Sequence, residues 1–220
     1  MNRLIRRVSR LALILTLPLA LAACGINTIP TKEEKAKAQW AEVQNQYQRR
    51  SDLIPNLVAT VKGYAAQESS VLIGVSQARA GAMQVRSDAS ITTDPAAFQR
   101  YAAAQQNLSL ALAPLRVLQE NYPDLKSNEN FMALQSQLEG TENRVAIARR
   151  DYNEAVRDFN TTLRTFPQII WAKTVHGGSK PMQLFQATAT AQTTPTVDFS
   201  PTQAPAAPPP GAAPGSPPPK

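Results

Sequence analysis

Apolar residues recur at alternating three- and four-residue steps along three separate segments, and that spacing restricts the chain to helices packed along a common seam. From Trp40 the steps reach Val43, Tyr47, Arg50, Ile54, Leu57, Val61, Tyr64, Glu68, Val71, Val75 and Ala78. A second seam runs Phe98, Tyr101, Gln105, Leu108, Leu112, Leu115, Gln119 and Tyr122. A third runs from Phe131 through Leu138, Val145, Tyr152 and Phe159 to Phe166. Three seams predict an all-α, antiparallel, up-and-down bundle of three long helices over residues 31–186. A short fourth helix has two candidate sources: the segment Pro167 to Val175, or a division of the first helix by a kink at Pro55.

Boundary signals agree with this division. Asp94-Pro95 sets a capping side chain before a proline at the first helical position, where the missing N–H costs nothing. The turn Asn121-Tyr122-Pro123-Asp124 ends the second helix, Ser127 or Asn128 caps the third, and Phe166-Pro167 closes it.

The stretch RRSDLIPN, Arg49 to Asn56, interrupts an otherwise regular pattern. Pro55 offers no N–H to the carbonyl of Ser51 and crowds it, a defect of about 3 kcal/mol inside a helix. The heptad phase nevertheless survives on both sides, which predicts a kinked continuous helix held by Ile54, Leu57 and Val61. Arg50 and Glu68 stand as charges on the apolar seam, and an unpaired buried charge costs several kcal/mol, so each needs a partner on another helix or a route to water. The third helix carries Glu139, Glu142, Arg144, Arg149, Arg150, Asp151 and Glu154 beside Tyr152. Residue numbers opposite one another in an antiparallel pair keep a constant sum, which leaves two registers open, Arg50 against Glu154 or against Glu142. The candidate structural or interaction residues are thus Arg49, Arg50, Asp52, Pro55, Asn56, Glu68, Glu142, Arg150, Asp151 and Tyr152.

The two ends differ in kind from this middle. The formal net charge of +7 points at nucleic acid until its distribution is considered: Arg3, Arg6, Arg7 and Arg10 all precede the apolar run Leu11 to Ala23. Basic residues ahead of so short an apolar run describe a secretory signal, because roughly 20 residues are needed to cross a bilayer. Removing residues 1–23 takes four of the 23 basic residues and none of the 16 acidic ones, which leaves a net charge of +3 and no case for a nucleic-acid partner. Leu21-Ala22-Ala23-Cys24 has the form of a bacterial lipobox, and Cys24 is the sole cysteine. Residues 24–30 then become a lipidated linker, and Gly25, which is not the aspartate of an inner-membrane retention signal, directs the protein to an outer membrane where the host has one. At the other end, ten of the 34 residues from Ala187 to Lys220 are proline. Such a segment buries too little apolar surface to offset its ordering entropy, so a disordered, partly polyproline II tail is expected, a spacer in preference to a proline-recognition ligand.

Chemistry finds little purchase here. His176 is the only histidine and lies in HGGSK, beyond the bundle, which leaves no Ser-His-Asp or Cys-His set and no histidine-rich metal site. Gly177-Gly178-Ser179-Lys180 lacks the first glycine and the preceding strand of a phosphate loop. Glu139, Glu142 and Glu154 are unaccompanied by the Glu-x-x-His pairs of di-iron bundles. No catalysis, metal or cofactor is expected.

Two blocks, NQYQRRSDLIPNLVATVKGYAAQE and NYPDLKSNENFMALQSQLEGTENRVAIARRDYNEAVRDFNTTLRTFPQ, are similar to the signature blocks of the LemA family of bacterial membrane-associated proteins. The resemblance spans residues 27–185. It implies an antiparallel four-helix-type bundle held to a membrane by its N-terminus, with an envelope protein such as a protease or stress component as partner, and no established activity. The chain departs from the usual pattern in its lipobox, where many relatives keep an uncleaved membrane helix, and in its proline-rich tail. The function expected is that of a lipid-anchored helical scaffold or interaction module in the cell envelope; the alternative is a binding protein that holds a small ligand, ion or cell-wall fragment in the bundle. Cys24→Ser should leave residues 1–23 attached, move the protein out of the detergent phase and abolish labelling by a palmitate analogue, which gel mobility and the label itself report.

Overall fold

The computed structural model describes residues 25–186; the expected signal peptide, Cys24 and the proline-rich tail lie outside the described residues. Helix α1 spans Thr28–Tyr64, α2 Ser69–Gln84, α3 Pro95–Asn121, the single turn α4 Pro123–Lys126, α5 Glu129–Thr162 and α6 Gln168–Thr174, with a 3₁₀ turn at Ala89–Thr93 between α2 and α3. The predicted caps are in place. Asp94 accepts hydrogen bonds from the amides of Ala96 and Ala97 with Pro95 behind it, and Asn128 accepts from the amide of Phe131.

Helix α1, about 55 Å long at 1.5 Å per residue, is the spine of the bundle. Contacts Lys32–Asp158, Arg50–Glu142 and Tyr64–Asn128 have nearly constant residue sums, so α5 lies antiparallel along it. Contacts Tyr47–Tyr101, Arg50–Gln105 and Glu68–Tyr122 have nearly constant differences, so α3 runs parallel to it. Between them α2 runs back towards the start of α1, with Arg79 at the level of Ser51 and Ser87 at the level of Trp40 and Gln44. The result is an up-and-down bundle of α1, α2, α3 and α5.

The fourth bundle helix comes from neither source that the sequence suggested. The first seam continues in the sequence to Ala78, but α1 ends at Tyr64 and the chain reverses through residues 65–68. Ala65 leaves helical geometry at φ −133°, ψ 53°, and its N–H still closes onto the Val61 carbonyl, while the amide of Glu68 bonds back to Ala65. Ala65, Leu72 and Val75 all remain buried through the reversal. Across the reversal the buried positions fall one residue off the expected seam, Ala65 and Leu72 in place of the exposed Tyr64 and the half-buried Val71, and rejoin it at Val75, so the periodicity alone does not reveal the turn. The segment after Pro167 does form a short helix, α6, but it lies against the start of α1 and adds no fourth member to the bundle.

Helix α1 passes through Pro55 unbroken, as the phase argument required. The carbonyl of Ser51, which has lost its helical donor, accepts a hydrogen bond of 2.8 Å from Nε of Arg79 on α2. Ser51 is buried, so without that donor the carbonyl would be stranded away from water. A proline that isolation would make a helix stop is tolerated because a neighbouring helix replaces the hydrogen bond it removes.

Two apolar clusters fill the interior. The one near the start of α1 is rich in aromatics: Trp40 packs on Phe98, Tyr101, Tyr152 and Phe185 with ring centroids 5.3 to 6.0 Å apart, and its indole N–H donates to the Ser87 carbonyl at 2.9 Å. The other, around Ile54, Leu57, Val61, Leu72, Val75, Leu108, Leu115 and Phe131, is aliphatic except for Phe131. Arg79→Met should cost about 1–2 kcal/mol in urea unfolding by stranding the Ser51 carbonyl. In a Pro55→Ala background, where the restored N–H serves that carbonyl, the same change should cost less than half as much; equal costs in both backgrounds would show that the Arg79 contact contributes nothing.

Candidate functional site

At the boundary between the aromatic and aliphatic clusters, one polar layer crosses the bundle. Arg50 is 1 % exposed, one turn after Tyr47 and one turn before Ile54, so the seam itself carries its side chain inward. One terminal nitrogen, Nη1, donates to Ser109 Oγ at 2.7 Å and to Glu142 Oε1 at 3.0 Å. The other, Nη2, donates to the side-chain oxygen of Gln105 at 2.6 Å and to its carbonyl at 3.2 Å. The guanidinium carbon also stands 4.9 Å from the centroid of the Tyr47 ring, within range of a cation–π contact, while Nε has no hydrogen-bond partner. Three helices therefore converge on one planar cation, whose fork geometry a lysine would not reproduce. Burial pushes the Tyr47 hydroxyl above its ordinary value, with the charges of Arg149 and Arg50 opposing the shift, and burial pushes Tyr101 up likewise, so both rings stay neutral beside the cation.

Next to this layer, α3 and α5 stand apart and a groove opens with a volume of about 250 Å³. Its floor is apolar, Leu57 of α1 with Leu112, Leu115, Phe131 and Leu138. Its rim is polar: Ser109 and Arg116 on one side, Gln135, Glu139 and Glu142 on the other. Arg116 and Glu139 face each other across it at 3.9 Å, both largely exposed, a geometry that contributes little to stability. The buried Oε1 of Gln135 accepts no hydrogen bond from the protein.

Towards the aromatic end the chain itself lies against α5. Residues 181–186 form neither helix nor strand and are held by two asparagines seven residues apart. Asn160 donates to the Met182 carbonyl and accepts from its amide, at 2.8 and 2.9 Å. Asn153 does the same for Phe185, both at 2.9 Å. Phe185 thereby enters the aromatic cluster, where it stacks on Trp40 and lies 4.8 Å from Phe98, under the guanidinium of Arg149 at 4.5 Å.

Of the residues singled out from the sequence, Arg50 and Glu142 meet in the polar layer, which selects one of the two open registers and sets Glu154 aside on the exposed surface. Arg49, Asp52, Pro55 and Asn56 lie on the exposed face of α1, where Asp52 takes a hydrogen bond from Gln48 and the Asn56 carbonyl one from Thr60. Glu68 sits at the far end of α1 and accepts from the hydroxyl of Tyr122 at 3.1 Å. Arg150 pairs with its neighbour Asp151 on the outside of α5, and Tyr152 is fully buried with its hydroxyl donating to the Gln183 carbonyl. Sequence reasoning passed over Gln105, Ser109, Arg79 and the two strap asparagines. Gln105 carried a readable signal, a polar side chain on an apolar seam. Asn153 and Asn160 carried only their seven-residue spacing.

These elements define an all-α bundle domain built around a buried arginine, with a groove between α3 and α5. The chain belongs to the LemA family, whose profile matches residues 39–199. It is also similar to two proteins of Paramagnetospirillum magneticum, magnetosome proteins MamQ 2 and MamQ 1, each 25 % identical over 157 residues. Magnetosome protein MamQ of Magnetospirillum gryphiswaldense is 24 % identical over the same length. Each match covers 64 % of this chain and 58 % of the relative, so the chain spans little more than half the length of these proteins. Among the described residues no helix is long and apolar enough to cross a membrane.

Removing either member of the central pair should have unequal effects. Glu142→Ala leaves the buried guanidinium without its counter-charge and should cost about 3–5 kcal/mol. Arg50→Met replaces the cation with an apolar side chain while the half-exposed Glu142 turns to water, and should cost clearly less. Arg50→Lys should not recover the wild type, because one ammonium cannot serve Gln105, Ser109 and Glu142 together. Urea midpoints for the three variants test that order.

Proposed function

We propose that this protein is a lipid-anchored component of the cell envelope, attached through Cys24, that acts as a helical scaffold and receives side chains of an envelope protein partner in the groove between α3 and α5. The observation that carries the reading is a contrast between neighbouring features. The buried cation spends its hydrogen bonds within the protein, with Ser109, Gln105 and Glu142, so its role is internal. The groove beside it keeps an apolar floor open to the outside, and the buried Oε1 of Gln135 in its wall has no hydrogen-bond partner in the protein. Apolar floor with charged rim is the composition of a protein-interaction site.

The second reading, a small ligand held in the bundle, has two places to use. The groove, at about 250 Å³, falls below the roughly 300–1,000 Å³ of sites that enclose drug-sized molecules. A cleft of about 340 Å³ on the face of α1, α2 and α3 reaches Tyr47, Ser51 and Gln105 beside the polar layer. Neither is lined by Arg50 or Glu68, the charges that reading requires, which favours a partner side chain over an enclosed ligand. In a host with two membranes, the absence of aspartate after Cys24 supports placement at the outer membrane.

A photo-crosslinking residue placed at Arg116 or Glu139 in the full chain should capture one envelope protein in cells. The same residue at Ile73, exposed on α2, should not, and Leu112→Asp in the groove floor should abolish the capture. Equal capture from Ile73, or capture indifferent to Leu112→Asp, would refute the groove; a non-protein adduct at Arg116 or Glu139 would establish the ligand reading instead.

A further inference from the structure

The end of the bundle where α1 begins carries a surface of different composition from the rest. Phe166, Ile170 and Val175 are 79, 49 and 55 % exposed and fall within ten residues of chain, on and beside α6. The other large exposed apolar side chains among the described residues, Tyr64, Ile73, Met83, Leu110, Val117, Met132 and Ile147, are spread singly over α1, α2, α3 and α5. Solvated proteins scatter such residues, and a concentration of them marks a surface that meets something apolar.

Charge on the segment that carries these side chains is one-sided. Residues 159–186 contain no aspartate or glutamate, while Arg164, Lys173 and Lys180 are all exposed. The carboxylates brought close by α1 and α5 are already engaged: Glu33 accepts from Lys37 and from the Ser179 hydroxyl, Glu34 from Lys37, and Asp158 from Lys32. Although burial opposes it, those hydrogen bonds hold the Glu33 carboxyl below its usual value.

The same surface adjoins the place where the chain arrives from its apolar run. Gly25 lies against the indole of Trp171, so that a Cβ there would sit 3.6 Å from Nε1, and His176 Nε2 donates to the Ile26 carbonyl at 2.9 Å. Ala23, the last residue of the run, is two residues before Gly25. Two extended residues reach no further than about 7 Å. Whatever holds residues 11–24 in a bilayer, the run itself or acyl chains on Cys24, therefore holds Gly25 within about 7 Å of that point of attachment, with the Trp171 indole of α6 directly against it.

We infer that α6 and its flanks form a membrane-contact platform, in which Phe166, Ile170 and Val175 enter the boundary between headgroups and acyl chains, Trp171 sits at headgroup level, and Arg164, Lys173 and Lys180 meet anionic lipid headgroups. Exposed apolar side chains beside a tryptophan, flanked by basic residues without acidic ones, is the composition that interfaces select. The platform orients the bundle: a single tether leaves the domain free to tumble, whereas a tether plus an adjacent contact face fixes which end is turned to the lipid. The inference rests on the anchoring reading above.

The chain's two tryptophans make the test direct, since Trp40 is buried within the aromatic cluster whereas Trp171 lies at the edge of that cluster, part-exposed, at the platform. The full chain is reconstituted into vesicles of phosphatidylcholine and phosphatidylglycerol with brominated acyl chains, and flotation and tryptophan quenching are read together. Expected are flotation with strong quenching that disappears in Trp171→Phe. The triple variant Phe166→Ser, Ile170→Ser, Val175→Ser should float as before with the quenching lost, its helical circular dichroism unchanged because these side chains contribute no core. A chain that floats with Trp171 unquenched overturns the platform and leaves anchoring intact. A chain that does not float overturns both. The wild-type measurement decides even where the triple variant loses its helical signal, and replacing phosphatidylglycerol by phosphatidylcholine should weaken the quenching if the basic residues act as inferred.

Discussion

One guanidinium has to be taken out of water for this bundle to close, and the arrangement of the other helices follows from how that is done. The desolvation of a single buried ion amounts to several kcal/mol, which good geometry must offset. Here the offset comes from Ser109, Gln105 and the half-exposed Glu142, contributed by α3 and α5 to a residue of α1. Apolar clusters on either side tolerate small shifts in how their side chains interdigitate. The Arg50 layer does not: a slip of one helical turn, about 5.4 Å, moves any of its partners beyond hydrogen-bonding distance. The layer therefore sets the axial register of three helices, a task that the aliphatic seams above and below it perform only loosely.

Part of that layer is legible by counting. A charged residue on an apolar seam needs either a partner on another helix or a route to water, and antiparallel arithmetic leaves Glu142 and Glu154 as registers without choosing between them; the continuous passage through Pro55 and the caps at Asp94 and Asn128 are more plainly legible. What the sequence conceals has a common cause. Seam spacing reports facing and says nothing about direction, so the reversal at residues 65–68 is not revealed by a spacing that runs on to Ala78 in the sequence. Arg79 is an ordinary half-exposed arginine until α2 brings it to Ser51, and Gln105 and Ser109 acquire meaning only once α3 is known to run parallel to α1. Asn153 and Asn160 bind main chain from a segment more than twenty residues away, a relation that leaves no periodic trace in either partner.

The two ends of the bundle are finished by different chemistry. Away from the start of α1, polar side chains tie the helix ends together: Asn128 donates to the Tyr64 hydroxyl at 2.8 Å, and Gln67 and Glu68 both reach the hydroxyl of Tyr122. At the start of α1, residues 25–28, α6 and the segment 181–186 come together over an aromatic core, and the strap uses its backbone for attachment and Met182, Leu184 and Phe185 for packing. The groove lies between these two finishes, along α3 and α5, and a second cleft opens on the face of α1, α2 and α3. A domain so built keeps its ends fixed while leaving its flanks open to association.

The hydrogen bond from Arg79 to the Ser51 carbonyl bears on how the chain reaches this state. Helix α1 cannot complete its own ladder, because the donor that Pro55 lacks resides on the helix that follows. A nascent α1 is consequently weakest in its middle until α2 has folded back upon it, and the two should gain and lose protection from hydrogen exchange together. Proline here ties the folding of one helix to the next, so that the first 16-residue return stroke of the bundle becomes part of the same cooperative unit as the spine it leans on.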